Sequence, residues 1–245
     1  MTLINIKILI LLIFRGSIKM QYPIDVFDNH VIVVDNNKRF LIDTGSPISI
    51  SNENEIEIFG MTYGSTERYL GANIDEISNL VGCHLDALIG NNVLKNFIFQ
   101  IDFKNQLFFV WDSLPRETIN IDEYIDAEFA GMPTIQILIN QKPIRSFIDT
   151  GAKISYLNKQ YVQRFDPLDK KEDFLPGFGK FETPIYNIPM TFYGKEIPFN
   201  FGILPDRLEE GMLAGSVQAI LGADIFSHFT LIFHHANNKI YIKDL

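Results

Sequence analysis

Two tripeptides in the chain hold carboxyls in a setting suited to chemistry. Asp43-Thr44-Gly45 is followed by Ser46, and Asp149-Thr150-Gly151, 106 residues further on, by Ala152. Each triplet follows an apolar pair, Leu41-Ile42 in the first case and Phe147-Ile148 in the second. A carboxylate at the end of a buried apolar strand is costly unless it is used or satisfied. With the two loops facing each other, Asp43 and Asp149 would lie about 3 Å apart, where two carboxylates share one proton. The ionised member would take a proton from a water held between them, and the protonated member would donate to a substrate carbonyl oxygen. Water would then add to an amide carbon, a neutral diol would form, and a proton returned to nitrogen would break the bond. This scheme uses no metal, no cofactor and no covalent intermediate. Gly45 and Gly151 fit it, because a side chain there would crowd the opposing loop.

The elements that position these residues occur twice. VIVVDNNKRFLIDTGSPISI (31–50) and IQILINQKPIRSFIDTGAKISYL (135–157) each read as strand, polar turn, strand, triplet. The turns, Asp35–Lys38 and Asn140–Pro143, are rich in turn formers. A second shared block follows in each half: ALIGNNVLKNFIFQIDFKNQLFFV (87–110) and AILGADIFSHFTLIFHHANNKIYI (219–242). Aligned on Gly90 and Gly222, phenylalanine recurs at 97 and 229 and asparagine at 105 and 237. The chain therefore reads as a tandem duplication with a pseudo-two-fold axis. One such tripeptide arises at a given position with a chance of about 10⁻⁴; two in matching contexts are far more specific than a turn signal.

The spacers differ. Asp43 and Gly90 are 47 residues apart, Asp149 and Gly222 are 73 apart, and so the second half carries 26 more. Its excess, around Phe174 to Pro205, has too many Pro and Gly for a helix and predicts several strands. Residues 48–66 predict strand and hairpin. Helix signals are confined to Ile74–Leu80 and to short turns near Asn91–Phe97 and Asp224–Phe229. Asp112–Asp126, acidic and containing Pro115, reads as the linker. The expected organisation is an uncertain extension over 1–20, one lobe over 21–118 and a second over 119–245.

The motifs resemble those of retropepsin-like and pepsin-like aspartic proteases. LIDTGS with Leu88-Ile89-Gly90, and FIDTGA with Ile220-Leu221-Gly222, match the family pattern of strand, D-T/S-G-S/T/A and a later apolar-apolar-Gly segment. With two lobes of near-retropepsin size on one chain, the sequence is similar to a fused retropepsin dimer over residues 21–245. The resemblance implies an all-β bilobal acid-protease fold, two β-barrel lobes and a cleft for an extended peptide or unfolded protein. It implies that Asp43 and Asp149 form the catalytic dyad and that Thr44 and Thr150 hydrogen-bond to the opposite loop. It implies flaps, for which Gly177-Phe178-Gly179 and the stretch around Tyr63 are the candidates. The implied activity is endopeptidase hydrolysis by a monomer; a catalytically silent peptide-binding module is the alternative. Ser46, facing Ala152 in the other lobe, departs from symmetry. Its hydroxyl could donate to Asp43, which would then ionise first.

Composition narrows the rest. The chain has 245 residues, 47% hydrophobic and 21% charged, enough apolar content for a packed core. A net charge of −9 and a pI near 5.0 argue against a nucleic-acid partner. Cys83 is the single cysteine, so no internal disulfide forms. The five histidines follow no zinc spacing, and no metal is expected. The apolar run Ile8 to Phe14 follows Lys7 and is too short to span a membrane. It is a weak signal or anchor, an ordinary buried element, or part of an extension ahead of a true start at Met20. A start at Met20 implies a cytoplasmic protein; otherwise the protein is exported or membrane-anchored, and only then does a membrane count as a partner.

Overall fold

The computed structural model describes residues 18–115, 118–120, 124–126, 131–176, 178–206, 208–210 and 216–243. The run Ile8 to Phe14 and flap candidate Gly177 lie outside the described residues. Among those residues no helix is long and apolar enough to cross a membrane.

The fold is all-β and bilobal. The first half contains β1 (Ile18–Phe27), β2 (His30–Asp35), β3 (Lys38–Ile42), β4 (Ile50–Ser51), β5 (Glu55–Ile58) and β6 (Met61–Gly64). Helix α1 (Ile74–Val81), β7 (Ala87–Ile89), α2 (Asn91–Leu94), β8 (Ile98–Asp102) and β9 (Leu107–Trp111) complete it. Strands β10 (Thr118–Asn120) and β11 (Tyr124–Asp126) follow. The second half contains β12 (Met132–Ile139), β13 (Lys142–Ile148), β14 (Ser155–Leu157), β15 (Asp169–Leu175), β16 (Gly179–Phe192) and β17 (Lys195–Gly202). It ends with β18 (Ala219–Leu221), β19 (Thr230–His234) and β20 (Lys239–Lys243).

Local chemistry accounts for the hairpins. Asn36-Asn37 and Asn140-Gln141 all have positive φ, between 50° and 63°. Two consecutive left-handed residues make the tight turn whose twist suits paired strands, and asparagine tolerates it better than most residues with a side chain. Helix α1 starts at a reciprocal capping box between Asn73 and Glu76 and stops at Gly82, φ 89°. Its Ile74, Ile77 and Val81 pack on Ile32, Leu41, Ile50 and Leu88, so the helix braces the strands that carry the first triplet.

One motif is built twice. Strand β7 runs parallel to β3 (Leu41 opposite Leu88) and antiparallel to β4 (Ile50 opposite Leu88). In the second half β18 runs parallel to β13 (Phe147 opposite Ile220) and antiparallel to β14 (Tyr156 opposite Ile220). The middle strand of each trio is paired on both edges, and packing against its faces buries Leu88, Ile89 and Leu221 while Ile220 stays half-buried at the cleft.

The halves are joined by a shared sheet, ordered β10-β20-β19-β8-β9-β1 before it continues into the first lobe. In it β8 pairs antiparallel with β19, placing Gln100 opposite Ile232. Those residues are 132 apart, as are Gly90 and Gly222. A residue facing its own repeat mate is the mark of a two-fold axis through that pair. Phe99 stacks on Phe233 at 4.7 Å across the same join. Phe99, Ile101, Phe108 and Val110 of the runs at 98–103 and 107–111 thus fill a core common to both lobes.

Two described stretches of the segment read as a linker are strands. Strand β10 pairs with β20 and β11 with β12, each at the outer edge of a sheet. Edge strands need only one bonded side, so an acidic stretch with little apolar alternation can still pair.

Candidate active site

Each aspartate stands one residue beyond a central strand. The Asp43 N–H donates to Ile89 O at 3.0 Å, and the Asp149 N–H to Leu221 O at 2.9 Å, extending the parallel ladders by one step. Beyond the triplet each chain turns back under the apolar-apolar-Gly segment. A Cβ on Gly90 would lie 2.4 Å from Ile48 O, and one on Gly222 2.6 Å from Ala152 O. No side chain fits there, which accounts for the glycine of both segments.

The two loops interlock through their threonines, all four bonds fully buried. The Thr44 N–H donates to Thr150 Oγ1 and the Thr150 N–H to Thr44 Oγ1, both at 3.0 Å. Thr44 Oγ1 in turn donates to Ile148 O at 2.7 Å, and Thr150 Oγ1 to Ile42 O at 2.6 Å. Each hydroxyl thereby fixes the residue just before the opposite aspartate.

The glycines bring the carboxyls together. A Cβ on Gly45 would sit 2.4 Å from Asp149 Cγ, and a Cβ on Gly151 2.5 Å from Asp43 Cγ. Each carboxyl therefore occupies the space that a side chain on the other loop would fill. Asp43 Oδ1 accepts the N–H groups of Gly45 (2.9 Å) and Ser46 (3.0 Å); Asp149 Oδ1 accepts that of Gly151 (2.9 Å). The two side chains are close enough for each to shift the other's titration. Burial raises both above the ordinary carboxyl range, and the charge of Asp149 lifts Asp43 further. Two acids so placed retain one proton between them over the interval that separates their titrations.

Ser46 differs from its assignment. Its hydroxyl donates to Ile48 O at 2.7 Å, within its own turn, and only its backbone N–H reaches Asp43. The hydroxyl is drawn to a nearby carbonyl that has no strand partner, so it sets no order of ionisation. Ala152 takes the matching turn, its carbonyl accepting the Ala223 N–H at 2.9 Å.

The flap candidates are placed as follows. Tyr63 is away from the aspartates: its ring packs on Phe97 at 6.0 Å and its hydroxyl donates to Met61 Sδ. Its neighbours explain this, since β5 and β6 form a separate two-stranded hairpin whose Phe59 turns into the core. The first-lobe rim of the cleft is instead the turn at Tyr69–Ala72, where the two terminal residues exchange N–H···O bonds of 3.0 Å and Leu70 projects outward. Phe178 and Gly179 lie at the turn between β15 and β16, with Phe178 edge-on to Phe181 at 5.9 Å. That hairpin forms the second-lobe wall: Phe174, Leu175, Pro176 and Phe181 line the cleft with Asp43 and Asp149.

Several supporting residues have no motif of their own. Asn91 Nδ2 donates to Thr44 O at 2.8 Å. Ser49 Oγ accepts the Gly90 N–H and donates to Asn92 Oδ1 at 2.8 Å. Ser155 Oγ accepts the Gly222 N–H and donates to Asp224 Oδ1 at 2.5 Å. Both serines lie six residues after an aspartate, and Asn92 and Asp224 two after a glycine, so extending the repeat alignment would have found them. Burial lifts Asp224 to about 7.

No family model matches the sequence. No curated protein matches it. Solved structures similar to parts of the chain include three proteases. A retropepsin-like aspartic protease from Rickettsia conorii is 16% identical, with 51% of this chain and 91% of that one covered and a TM-score of 0.38. The EIAV protease in complex with an inhibitor is 25% identical, over 39% of this chain and 86% of that one, TM-score 0.29. A simian foamy virus (mac) protease is 12% identical, over 37% of this chain and 88% of that one, TM-score 0.29.

Proposed function

We propose that the protein is an aspartic endopeptidase in which Asp43 and Asp149 activate a water against the peptide carbonyl. The observation that carries this reading is that each carboxyl occupies the space above the other loop's glycine, on loops locked by reciprocal threonine bonds. A preorganised pair is what proton shuttling needs, because reacting groups displaced by 1 Å lose about 100-fold in rate.

The reaction follows from the shared proton. The ionised carboxylate accepts a proton from the attacking water while the protonated one donates to the carbonyl oxygen. The amide carbon becomes a neutral diol with the dyad's charge unchanged. One carboxyl then gives a proton to the nitrogen as the other recovers one from the diol, and the C–N bond breaks. Because both half-sites lie on one chain, a single copy suffices. An open cleft with mostly apolar walls on both lobes fits an extended chain, so the substrate is an unfolded protein or peptide.

The test is incubation of a permanently unfolded protein, reduced and alkylated, with the purified chain. Internal cleavage that pepstatin stops, and that serine- and cysteine-directed reagents do not, is the expected result. Peptide binding without any cleavage would overturn the assignment and leave a silent peptide-binding module.

A further inference from the structure

The cleft is not chemically symmetric, although its framework is. Ile50 and Tyr156 each stand seven residues after an aspartate and pair with the equivalent strand residues Leu88 and Ile220. Both line the cleft. In the first lobe Ile50 is surrounded by Leu41, Ile77 and Leu88, and that half of the cleft is apolar apart from the Tyr69 hydroxyl and the aspartate loop. In the second lobe Tyr156 donates its hydroxyl to Asp173 Oδ2, and Asp173 lines the same cleft from β15.

Asp173 is only 4% exposed. Its Oδ1 accepts the Phe174 N–H at 2.8 Å, and its Oδ2 the Tyr156 hydroxyl. A carboxylate can accept about four hydrogen bonds, so acceptor capacity is left over. Among the described residues no ion pair forms at Asp173. Lys153, whose charge acts on Asp173, bonds instead to Asp28 at 2.9 Å. A buried carboxylate without a cation is costly, and burial raises Asp173 above the ordinary carboxyl range. A cationic side chain entering the cleft would supply the missing partner, its methylenes lying along Phe174, Phe181 and Leu204.

We infer that the second-lobe half of the cleft selects a basic side chain of the peptide, lysine or arginine, read by Asp173 with Tyr156, while the first-lobe half selects an apolar one. The inference rests on the cleft being the peptide site proposed above. It adds that the two sides of the bound peptide are read by different chemistry, a consequence of duplication followed by divergence at Tyr156 and Asp173.

The experiment compares two otherwise identical unfolded peptides, one with lysine and one with norleucine, which lacks only the ammonium. The lysine is moved along each side of a phenylalanine. The wild type is expected to hydrolyse the lysine peptide with about tenfold or more higher kcat/KM at one position, and glutamate there is expected to be the worst. Asp173→Asn should reduce the preference to within about threefold, and Tyr156→Phe should lower it part of the way. Binding of the same peptides to the Asp43→Asn protein, read by fluorescence anisotropy, separates the two claims. Selective binding without hydrolysis by the wild type would retain the specificity and sink the protease. Hydrolysis with no preference for lysine at any position, or a preference unmoved in Asp173→Asn, would sink the specificity and spare the protease. Equal binding of both peptides, or of neither, would also overturn it.

Discussion

Thr44 and Thr150 each complete the other's loop: Thr44 Oγ1 accepts the Thr150 N–H at 3.0 Å and donates to Ile148 O at 2.7 Å, and Thr150 does the same in return. Every proposed function of the cleft depends on this exchange, since it ties the residues flanking one carboxyl to those flanking the other.

Thr44→Val should therefore be severe. It leaves the Thr150 N–H and Ile148 O buried without partners, at about 2–5 kcal/mol for the two. Thr44→Ser keeps the hydroxyl and should stay within about 1 kcal/mol. Urea unfolding of the three proteins, with hydrolysis measured beside it, checks the order; equal loss in both variants would contradict the assigned bonds.

The contact of carboxyl on glycine makes a second prediction. Gly151→Ala would place a methyl 2.5 Å from Asp43 Cγ, closer than real contacts allow. The loops must separate, and hydrolysis should fall about 100-fold or more. Gly64→Ala is the control, because nothing lies within 4 Å of its Cβ and its φ is not positive. It should retain full activity.

Asp224 links the site to pH. Its pKa is about 7 in the folded chain against an ordinary 3.8, with burial the leading cause. The folded state therefore binds a proton more tightly than the unfolded one. Its stabilising effect is complete below about pH 4 and is lost as pH rises through 7, on the order of 4 kcal/mol in all. The first lobe has Asn92 in the equivalent place, with the same serine bond. Asp224→Asn should thus flatten the pH dependence and raise the unfolding midpoint at about pH 8. Urea titrations at about pH 5 and pH 8 measure both; an unchanged slope would show that Asp224 is ionised in the folded protein at both values.

The pH–rate profile should be bell-shaped, since the dyad works only with one proton. The acidic limb falls as the pair takes a second proton and the alkaline limb as it loses the first. Burial raises both groups and the charge of Asp149 lifts Asp43 further, so the alkaline limb should lie above the ordinary carboxyl range. Ser46→Ala should leave both limbs in place, because that hydroxyl bonds to Ile48 O. Initial rates from about pH 3 to pH 9 decide; a limb that moves in Ser46→Ala would restore a role for the hydroxyl.

Much of this was readable in the residues, for a physical reason. The strand–turn–strand units, the paired triplets and the apolar-apolar-Gly segments are local patterns, and duplication prints each of them twice. The glycines follow from the closeness of two loops and could be reasoned without coordinates. What was not legible depends on side-chain direction. Ser46 has two acceptors in reach, and only the fold of its turn sends the hydroxyl to Ile48 O. Tyr63 is a flap candidate only through the resemblance, and the packing of β5 and β6 turns its ring onto Phe97. Asp173 lies beside the unrepeated excess, where no internal copy exists to show its partnership with Tyr156.

The central claim is tested most directly by removing one proton site at a time. Asp43→Asn and Asp149→Asn each preserve shape and hydrogen-bonding capacity while ending the sharing of a proton. With unfolded substrate near the optimum pH, each variant should lose at least about 1,000-fold in kcat/KM while still folding and binding peptide. Hydrolysis that persists at the wild-type rate in either variant would contradict the account.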